Sequence, residues 1–491
     1  MVFSSHLFLF WFLPLALALY YAIKARYRHA LLTLLSYLFY GWTNPLFVLL
    51  MFVSTLIDYL CGLFLTGTWR PGWKGEVPLL PREGPRSKLQ KWAVTLSIVS
   101  NLSLLAFFKY GNFGIENWNH LMETLRLSDT WLLPSLHIVL PLGISFYTFQ
   151  SMSYAIDVYR GDARGIRHFV DFSCYVSLYP QLVAGPIIRF QEVANQLRSR
   201  THTLEKFARG VAFFVLGMAQ KILLANPCGK LADWAFDTSA RAVTEAWTGL
   251  AAYSFQIFFD FAGYSNMAIG LGLMLGFVFP KNFDAPYRSA SVTEFWRRWH
   301  ISLSSWLRDY LYIPLGGNRQ GWFRTYLNLM IVMLLGGLWH GASWNFLIWG
   351  AIHGIMLCID RVVKRGRSRE ASHSPRIFRQ VAGIASTYFV VLIAWVFFRA
   401  PSLPEAVDYL KSLAGVAQVA ETALLLPGVL YLPYGMISLG LAAGFAAFAP
   451  QAWDWTRSLT PLRGLILLLL FVLSVAALTT QSYNPFIYFI F

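Results

Sequence analysis

Long apolar runs, separated by short polar or basic segments, recur along most of this chain. Two of the clearest are LSIVSNLSLLAFF at 96–108 and GLILLLLFVLSVAAL at 464–478. An α-helix needs about 20 mostly apolar residues to cross a bilayer, and runs of this kind meet that requirement. The pattern therefore predicts a single all-α membrane-embedded domain over residues 1–491, with about ten to twelve crossings by the length rule.

Helix-breaking residues interrupt two of these apolar regions. GWTNP at 41–45 splits residues 30–66 into two short pieces, which are either short crossings or a re-entrant pair. PQLVAGP at 180–186 interrupts the apolar region 169–190. Broken helices at membrane depth are tolerated only where protein or a water-filled cavity surrounds them. We therefore expect the second interruption to border an interior pathway.

The composition excludes a soluble protein. Charged residues make up 13% of the chain and hydrophobic residues 56%, whereas soluble domains average about 25% charged residues. A soluble fold would have to bury many all-apolar helices in one oversized core. The chain is therefore predicted to be an integral membrane protein.

The net charge of +16 is concentrated in short connecting segments. Basic residues cluster at 66–92, 159–168 and 361–379, which the positive-inside rule places in the cytoplasm. Residues 24–30 are also basic, and they follow the first apolar run, whereas a signal peptide carries its positive charge before that run. We therefore expect a retained first span with the N-terminus outside. The charge distribution predicts attraction to membrane lipid headgroups and not to nucleic acid.

Several common motifs of metal binding and catalysis do not occur in the sequence. The four cysteines are scattered without CxxC spacing, and there is no HExxH, G-x-S-x-G or phosphate-loop pattern. These patterns would indicate zinc or disulfide chemistry, a serine hydrolase or nucleotide phosphate binding. The sequence therefore predicts no metal site and directs attention to other polar residues.

Residues 280–321 are too charged to span a bilayer, although apolar runs flank them. Ser291, with Glu294 three residues later, forms the capping-box pattern that precedes a helix. Apolar residues follow at three- and four-residue spacing and form a stripe, as helical periodicity requires: Phe295, Trp299, Leu303, Trp306 and Tyr310. This helix is either interfacial and amphipathic or turned inward, carrying polar groups such as His300 to a buried site.

Three of the ten histidines, His300, His340 and His353, lie in or beside apolar segments. Ionisable groups at membrane depth are costly and are functional candidates by default. The other histidines in connecting or outer segments carry no predicted chemical role: His29, His120, His137, His168, His202 and His373.

His340, in GGLWHGAS at 336–343, is the strongest of the three candidates. The adjacent glycines would let another backbone or a ligand approach closely: Gly336, Gly337 and Gly341. An imidazole, with its ordinary pKa of about 6.5, suits a general base that takes a proton from a hydroxyl. The alternative is a structural histidine bonded to a neighbouring helix. For His353 we favour a packing or interface role.

Several segments together resemble the membrane-bound O-acyltransferases, and in particular their bacterial alginate O-acetyltransferase branch. The resemblance rests on TEFWRRWHISLSSWLRDYLYIPLGGNR (293–319) followed by LLGGLWHGASWNFLIWGAIHG (334–354). PLGISFYTFQSMSYAIDVYRGD (141–162) and PQLVAGPIIRFQE (180–192) are similar to the same branch. The match runs in the same order from the first residues to about 400.

This resemblance implies a polytopic ring of helices, with re-entrant or interfacial helices around a central tunnel. It identifies His340 as the essential histidine, the general base for an acceptor hydroxyl, and His300 as its partner. His300 would orient the substrate or stabilise charge on the carbonyl oxygen, and the two roles could be exchanged. Further residues would line the tunnel or support the pair: Trp299, Trp339, Arg297, Asp309, Asn318 and His353.

The resemblance also implies the partners of the reaction. The donor would be acetyl-CoA or a related acetyl thioester on the cytoplasmic side, with no bound cofactor. A periplasmic or surface partner protein at the bacterial inner membrane would then pass the acetyl group to a polysaccharide such as alginate. Alternatives are D-alanyl transfer to teichoic acid, acetyl transfer to peptidoglycan, and a non-enzymatic lipid or glycan flippase that would not need both histidines.

Overall fold

The computed structural model describes residues 1–487, except for positions 43, 71–72, 74, 137, 239–240, 368–375 and 418–432. His137 and His373 therefore lie outside the described residues, as does part of the basic segment 361–379. The described part of the chain contains helices and no strand. The prediction of an all-α fold is confirmed.

Many helices of the described chain have the length and the apolar composition needed to cross a membrane. Among the described residues there are eight such helices: Leu46–Thr66, Lys88–Thr124, Leu204–Asp237, Val243–Met274, Gly321–His340, Trp344–Lys364, Ile377–Arg399 and Pro461–Thr480. Two shorter apolar helices accompany them, Phe8–Ala22 and Pro433–Phe448. The apolar runs of the sequence thus form the helices that a multi-pass membrane protein requires.

The chain divides into two compact units. The first comprises Met1–Gly210 and Ala268–Pro280, and the second comprises Val211–Met267 and Lys281–Phe491. All candidate residues singled out in the sequence belong to the second unit. The single domain over residues 1–491 stays a prediction.

The first unit consists of helices of very different length. A π-helical turn, Phe8–Phe12, leads into the first of them. The helices are α1 (Leu13–Ala22), α2 (Arg28–Gly41), α3 (Leu46–Thr66), α4 (Lys88–Thr124), α5 (Ile144–Arg160), α6 (Phe169–Ser177), α7 (Tyr179–Leu182) and α8 (Phe190–Arg198). Both predicted interruptions are confirmed, since 41–45 separates α2 from α3 and 169–190 contains only short helices.

A buried polar cluster joins α3 to α4 within this unit. The Asp58 carboxylate accepts hydrogen bonds from Ser97 Oγ at 2.5 Å and from Asn101 Nδ2 at 2.8 Å. All three side chains are buried. Buried polar groups are tolerated when they are hydrogen-bonded to one another, so this cluster fixes how the two helices face each other.

Helix α9 (Leu204–Ala219) leads into the second unit, which contains two π-helical turns, Gln220–Ala225 and Arg308–Tyr312. Its helices are α10 (Asn226–Asp237), α11 (Val243–Met274), α12 (Val292–Arg298), α13 (Ile301–Leu307), α14 (Gly321–His340), α15 (Trp344–Arg367), α16 (Arg376–Arg399), α17 (Leu403–Leu413), α18 (Pro433–Phe448), α19 (Ala452–Trp455) and α20 (Pro461–Thr480).

Helix α11 is the most buried of the eight candidate spans in the described part of the chain. Its most apolar window is 94% buried, whereas that of α20 is only 6% buried. A buried ion pair joins α11 to the π-turn that follows α9, with 2.7 Å between Lys221 Nζ and Asp260 Oδ1. The Asp260 carboxylate also accepts a hydrogen bond from the backbone N–H of Ile487, and Lys221 donates to the Pro485 carbonyl. The end of the described chain is therefore anchored on α11.

Glycines allow α14 and α15 to pack with their backbones in contact. A Cβ added to Gly337 would collide with the carbonyl oxygen of Phe346, and one added to Gly350 with that of Met333. Small residues permit this close approach between membrane helices. The contact sets the position of the last turn of α14, which carries His340.

Candidate active site

His300 lies at a break between two short helices. The apolar stripe from Phe295 to Tyr310 predicts one continuous helix, but α12 ends at Arg298 and α13 begins at Ile301. The prediction of a continuous helix is therefore wrong. His300 has φ +44° and ψ +55°, in the left-handed region. Non-glycine residues rarely adopt this conformation, which is strained and occurs often at functional sites.

The capping box predicted at the N-terminus of α12 is confirmed for one of its two hydrogen bonds. Ser291 Oγ accepts a hydrogen bond from the Glu294 backbone N–H at 3.2 Å. In a full capping box Glu294 would bond the backbone N–H of Ser291, but its carboxylate accepts from the Ala290 N–H at 3.0 Å. Helix α12 thus begins where the sequence indicates, with the reciprocal bond shifted by one residue.

The apolar stripe faces protein and not solvent. All five of its residues are buried, and the His300 side chain is 0% exposed. An interfacial helix would place one face in the headgroup region, where part of its surface stays accessible. The burial therefore favours the interpretation in which this segment turns inward and carries His300 to the interior of the unit.

His300 and His340 meet in an aromatic enclosure. Their ring centroids are 6.5 Å apart, with 61° between the ring planes. The Trp339 ring lies 6.1 Å from that of His300, and Phe261 of α11 contacts His300 edge to face at 4.6 Å. On the other side, Trp349 lies 5.2 Å from the His340 ring. The fold thus brings the two histidines from separate elements into one buried site.

The polar partner of His300 is Asn282, in the segment between α11 and α12. Nδ1 of the imidazole lies 3.3 Å from Asn282 Oδ1. Nε2 is buried and has no hydrogen-bond partner among the described residues. Burial lowers the pKa of His300 to about 3, because removal from water disfavours the charged imidazolium. The imidazole is therefore neutral at pH 7, and its Nε2 is left without a hydrogen-bond partner among the described residues.

His353 lies in the same aromatic cluster, and its described ring contacts are with Phe295, Trp296 and Trp349. Its Nδ1 accepts a hydrogen bond from Trp296 Nε1 at 3.3 Å, and its ring is parallel to that of Phe295. The Trp349 ring packs against both His353 and His340. His353 therefore contacts α12 from α15, and the packing role favoured from the sequence stays a prediction.

The other predicted residues fall into two groups. Trp339 contacts both histidines, and the buried Trp299 packs on Phe283 and Trp395. The remaining three lie nearer the surface, where the described contacts do not join them to the pair: Arg297 and Asn318 are exposed, and Asp309 forms an ion pair with Arg308 at 2.7 Å.

Sequence reasoning missed four residues that contact His300 or support it: Phe261, Ser265, Asn282 and Ser302. Ser265 is a polar residue inside the long apolar run of α11, which is the kind of signal that marks interior sites. Asn282 lies in PKNFDAPYR, a loop without helical periodicity. Its role depends on the pairing of that loop with a segment more distant in the chain, and local pattern does not reveal such pairing.

A cavity of about 810 Å³ lies beside the N-terminus of α12, between α15 and α16. Lys364 and Arg379 line it, as do Glu294 and Asp360. The two carboxylates are engaged elsewhere, since Asp360 Oδ2 accepts from the Thr293 N–H at 2.7 Å and Glu294 pairs with Arg298 at 2.9 Å. The lining therefore combines two cations, Lys364 and Arg379, with two carboxylates that already have partners of their own. No group of described residues has the set of ligands that a metal ion needs.

Comparison with known proteins gives consistent matches. The profile of the membrane-bound O-acyltransferase family matches residues 92–400, more than half of the chain. The chain is 43% identical to a protein of Pseudomonas putida named probable alginate O-acetylase, and 42% identical to the protein of that name from Azotobacter vinelandii. Both matches cover 100% of each chain.

A more distant match concerns another cell-envelope polymer. The peptidoglycan O-acetyltransferase of Helicobacter pylori is 33% identical over 453 residues, which is 86% of this chain and 81% of that protein. The matched family region includes both histidines of the buried site and the four segments on which the resemblance rests.

Proposed function

This chain belongs to the membrane-bound O-acyltransferase family, and we propose that it moves an acetyl group from a cytoplasmic thioester donor for the O-acetylation of an extracellular polysaccharide of the alginate type. It is an O-acyltransferase and a multi-pass membrane protein. Family membership sets aside the non-enzymatic flippase. The acetyl donor, the polysaccharide and the direction of transfer belong to the proposal.

The buried pair of His300 and His340 is the observation that carries this proposal. In O-acylation, an acceptor hydroxyl oxygen attacks the thioester carbonyl carbon, a new C–O bond forms and the C–S bond breaks. One imidazole takes the hydroxyl proton, which then leaves with the thiolate sulfur as a thiol. The other imidazole stabilises the negative charge that develops on the carbonyl oxygen. The resemblance gives the first task to His340 and leaves an exchange open.

The cavity lined by Lys364 and Arg379 supports a donor that enters from the cytoplasmic side. The positive-inside rule predicts this end of α15 and α16 to be cytoplasmic. Acetyl-CoA carries several phosphate charges, and phosphates are bound by lysine and arginine. We propose that these two cations hold the anionic part of the donor while its acetyl thioester extends towards the histidines.

The identity of the polysaccharide rests on the relatives. The full-length matches at 43% and 42% identity bear the name of alginate O-acetylase, whereas the peptidoglycan O-acetyltransferase matches at 33% over part of each chain. We therefore favour alginate or a related exopolysaccharide, with peptidoglycan as the second candidate. We further propose that the protein lies in the bacterial inner membrane with its N-terminus outside, and that a periplasmic partner protein completes the transfer.

The test is the acetyl ester content of extracellular polysaccharide and of peptidoglycan in cells that carry wild-type protein, His300→Ala or His340→Ala at matched membrane levels. Both variants are expected to lose most of the ester, by about 10²-fold or more for loss of acid–base catalysis. His168→Ala serves as the control, because His168 is exposed in a connecting segment. Unchanged acetylation with His340→Ala would contradict the assignment, and ester loss confined to peptidoglycan would select the second candidate.

A further inference from the structure

Asn282 is tied to the segment of His300 through its backbone. The Ile301 backbone N–H donates to the Asn282 carbonyl at 2.9 Å, and the Asp284 N–H donates to the Arg298 carbonyl at 2.9 Å. These two bonds pair the loop before α12 with the break between α12 and α13. The backbone of Asn282 is therefore held near His300 by hydrogen bonds that do not involve the Asn282 side chain.

The Asn282 side chain has a defined orientation. Its Oδ1 accepts hydrogen bonds from the Ser302 backbone N–H at 3.2 Å and from Ser302 Oγ at 2.9 Å, and its Nδ2 donates to Ser265 Oγ at 2.7 Å. A backbone N–H only donates, so the atom that it bonds must be the amide oxygen. The network therefore fixes which end of the amide faces His300.

This orientation decides which nitrogen of His300 carries the proton. Nδ1 lies 3.3 Å from the Asn282 oxygen, and an unprotonated Nδ1 would bring two lone pairs together. Ser302 Oγ lies nearer to the amide oxygen, at 2.9 Å, than to Nδ1, at 3.4 Å. In the neutral ring a protonated Nδ1 leaves the lone pair on Nε2, and this nitrogen is buried without a partner among the described residues.

We propose that Asn282 is a positioning residue that holds His300 with its proton on Nδ1 and so leaves Nε2 as the acceptor of the hydroxyl proton during acyl transfer. This inference rests on the proposed function and deepens it, because it exchanges the two roles that the resemblance left open. The proton moves from the acceptor hydroxyl to His300 Nε2 while the oxygen bonds the thioester carbon, and it then passes to the departing sulfur. His340 is left to stabilise the carbonyl oxygen.

The surroundings of His300 make this assignment testable by pH. The described groups that pack on its ring are Phe261 of α11, Asn282 and Ser302 of its own loop region, and Trp339 and His340 of α14. Among these only His340 carries an ionisable side chain. A negative charge introduced at position 282 would therefore act on His300 directly, and it would raise the pKa of the imidazole.

The first measurement does not depend on activity. Nitrogen-15 magic-angle-spinning NMR of histidine-labelled protein in lipid vesicles distinguishes protonated from unprotonated ring nitrogens, and the difference from the His300→Phe spectrum assigns His300. We expect a protonated Nδ1 and an unprotonated Nε2 in the wild type, and a mixture of both forms in Asn282→Leu. A wild-type His300 with its proton on Nε2 would overturn the inference, whether or not the protein transfers acetyl groups.

The second measurement is the pH dependence of acetyl transfer from acetyl-CoA in membranes containing the full chain. Asn282→Leu is expected to lower kcat by about 10²-fold, the usual contribution of a general base, with little change in KM. Asn282→Asp is expected to keep most of the activity but to move the acid limb of the profile to higher pH. Wild-type kcat in Asn282→Leu, or an unmoved limb in Asn282→Asp, would contradict the inference.

The matched control is Asn328→Leu, which removes an equally buried amide elsewhere in the unit. Asn328 Nδ2 donates to the carbonyls of Leu315 and Gly317 and has no described contact with His300. Its loss is expected to reduce the amount of folded protein without moving the pH profile or the His300 spectrum. Failure of the proposed function would appear differently, as a wild type that transfers no acetyl group although His300 has the expected protonation.

Discussion

His300 and His340 face each other with 6.5 Å between their ring centroids, and different structural devices position them. His300 occupies a left-handed break that is hydrogen-bonded to Asn282, and His340 ends a helix packed through glycines against α15. At this separation a single reacting group between the rings lies within reach of both imidazoles. We therefore propose that the pair acts as one unit in acyl transfer, so that the two residues are tested together.

Replacement of both histidines is expected to lower the rate of acyl transfer hardly more than replacement of the more important one. When two groups stabilise the same transition state, their single and double replacements are strongly non-additive. We expect the double variant His300→Ala/His340→Ala to retain about the same kcat/KM as the less active of the two single variants. The measurement uses membranes with matched protein levels. If the fold-decrease in kcat/KM of the double variant equals the product of the two single fold-decreases, the histidines act in separate steps.

The glycine contact between α14 and α15 is expected to be essential for the position of His340. A Cβ in Gly350→Ala collides with the Met333 carbonyl, and such overpacking costs about 1–3 kcal/mol. Acyl transfer and the unfolding temperature in detergent should both fall. The control is Gly440→Ala in α18, where an added Cβ meets nothing within 4 Å. That variant should be slightly more stable, since alanine favours a helix by about 0.5–1 kcal/mol.

Helix positions, the apolar stripe and the candidate histidines could be predicted from the sequence, because each depends on local composition or periodicity. The break at His300 could not be. The periodic spacing of Phe295, Trp299 and Leu303 continues across it, so only the pairing of Asn282 and Asp284 with residues 298–301 interrupts the helix. Similarly, Arg297 and Asn318 lie in the family-like segment but are exposed, because proximity in sequence does not decide which way a side chain faces.

The buried ion pair Lys221–Asp260 is expected to matter for stability mainly because loss of one partner leaves the other charge buried and unpaired. Loss of one partner strands a buried charge and typically costs about 3–5 kcal/mol. Lys221→Met and Asp260→Leu should each lower the unfolding temperature, followed by tryptophan fluorescence in detergent. The double variant should recover part of the loss, since neither charge then remains. Equal stability of the wild type and both single variants would show that the 2.7 Å contact adds nothing.

The cations of the α15–α16 cavity are expected to affect donor binding and not the chemical step. Lys364 and Arg379 are partly open to solvent, and a single exposed charge contact is worth about 0.2–1 kcal/mol. We therefore expect Lys364→Ala and Arg379→Ala each to raise KM for acetyl-CoA by about two- to fivefold with kcat unchanged, and the effect to shrink as salt screens the charges.

Lys91, an exposed lysine in another basic segment, provides the control for the Lys364→Ala and Arg379→Ala measurements. Lys91 lies in the segment 66–92, in the first unit, and does not line the cavity. If the cavity binds the donor, Lys91→Ala leaves KM as in the wild type, because Lys91 is not one of the residues that line it. An equal rise in KM for all three variants would indicate a general attraction of anionic donor to the basic surface, and the cavity would then lose its assignment as the donor site.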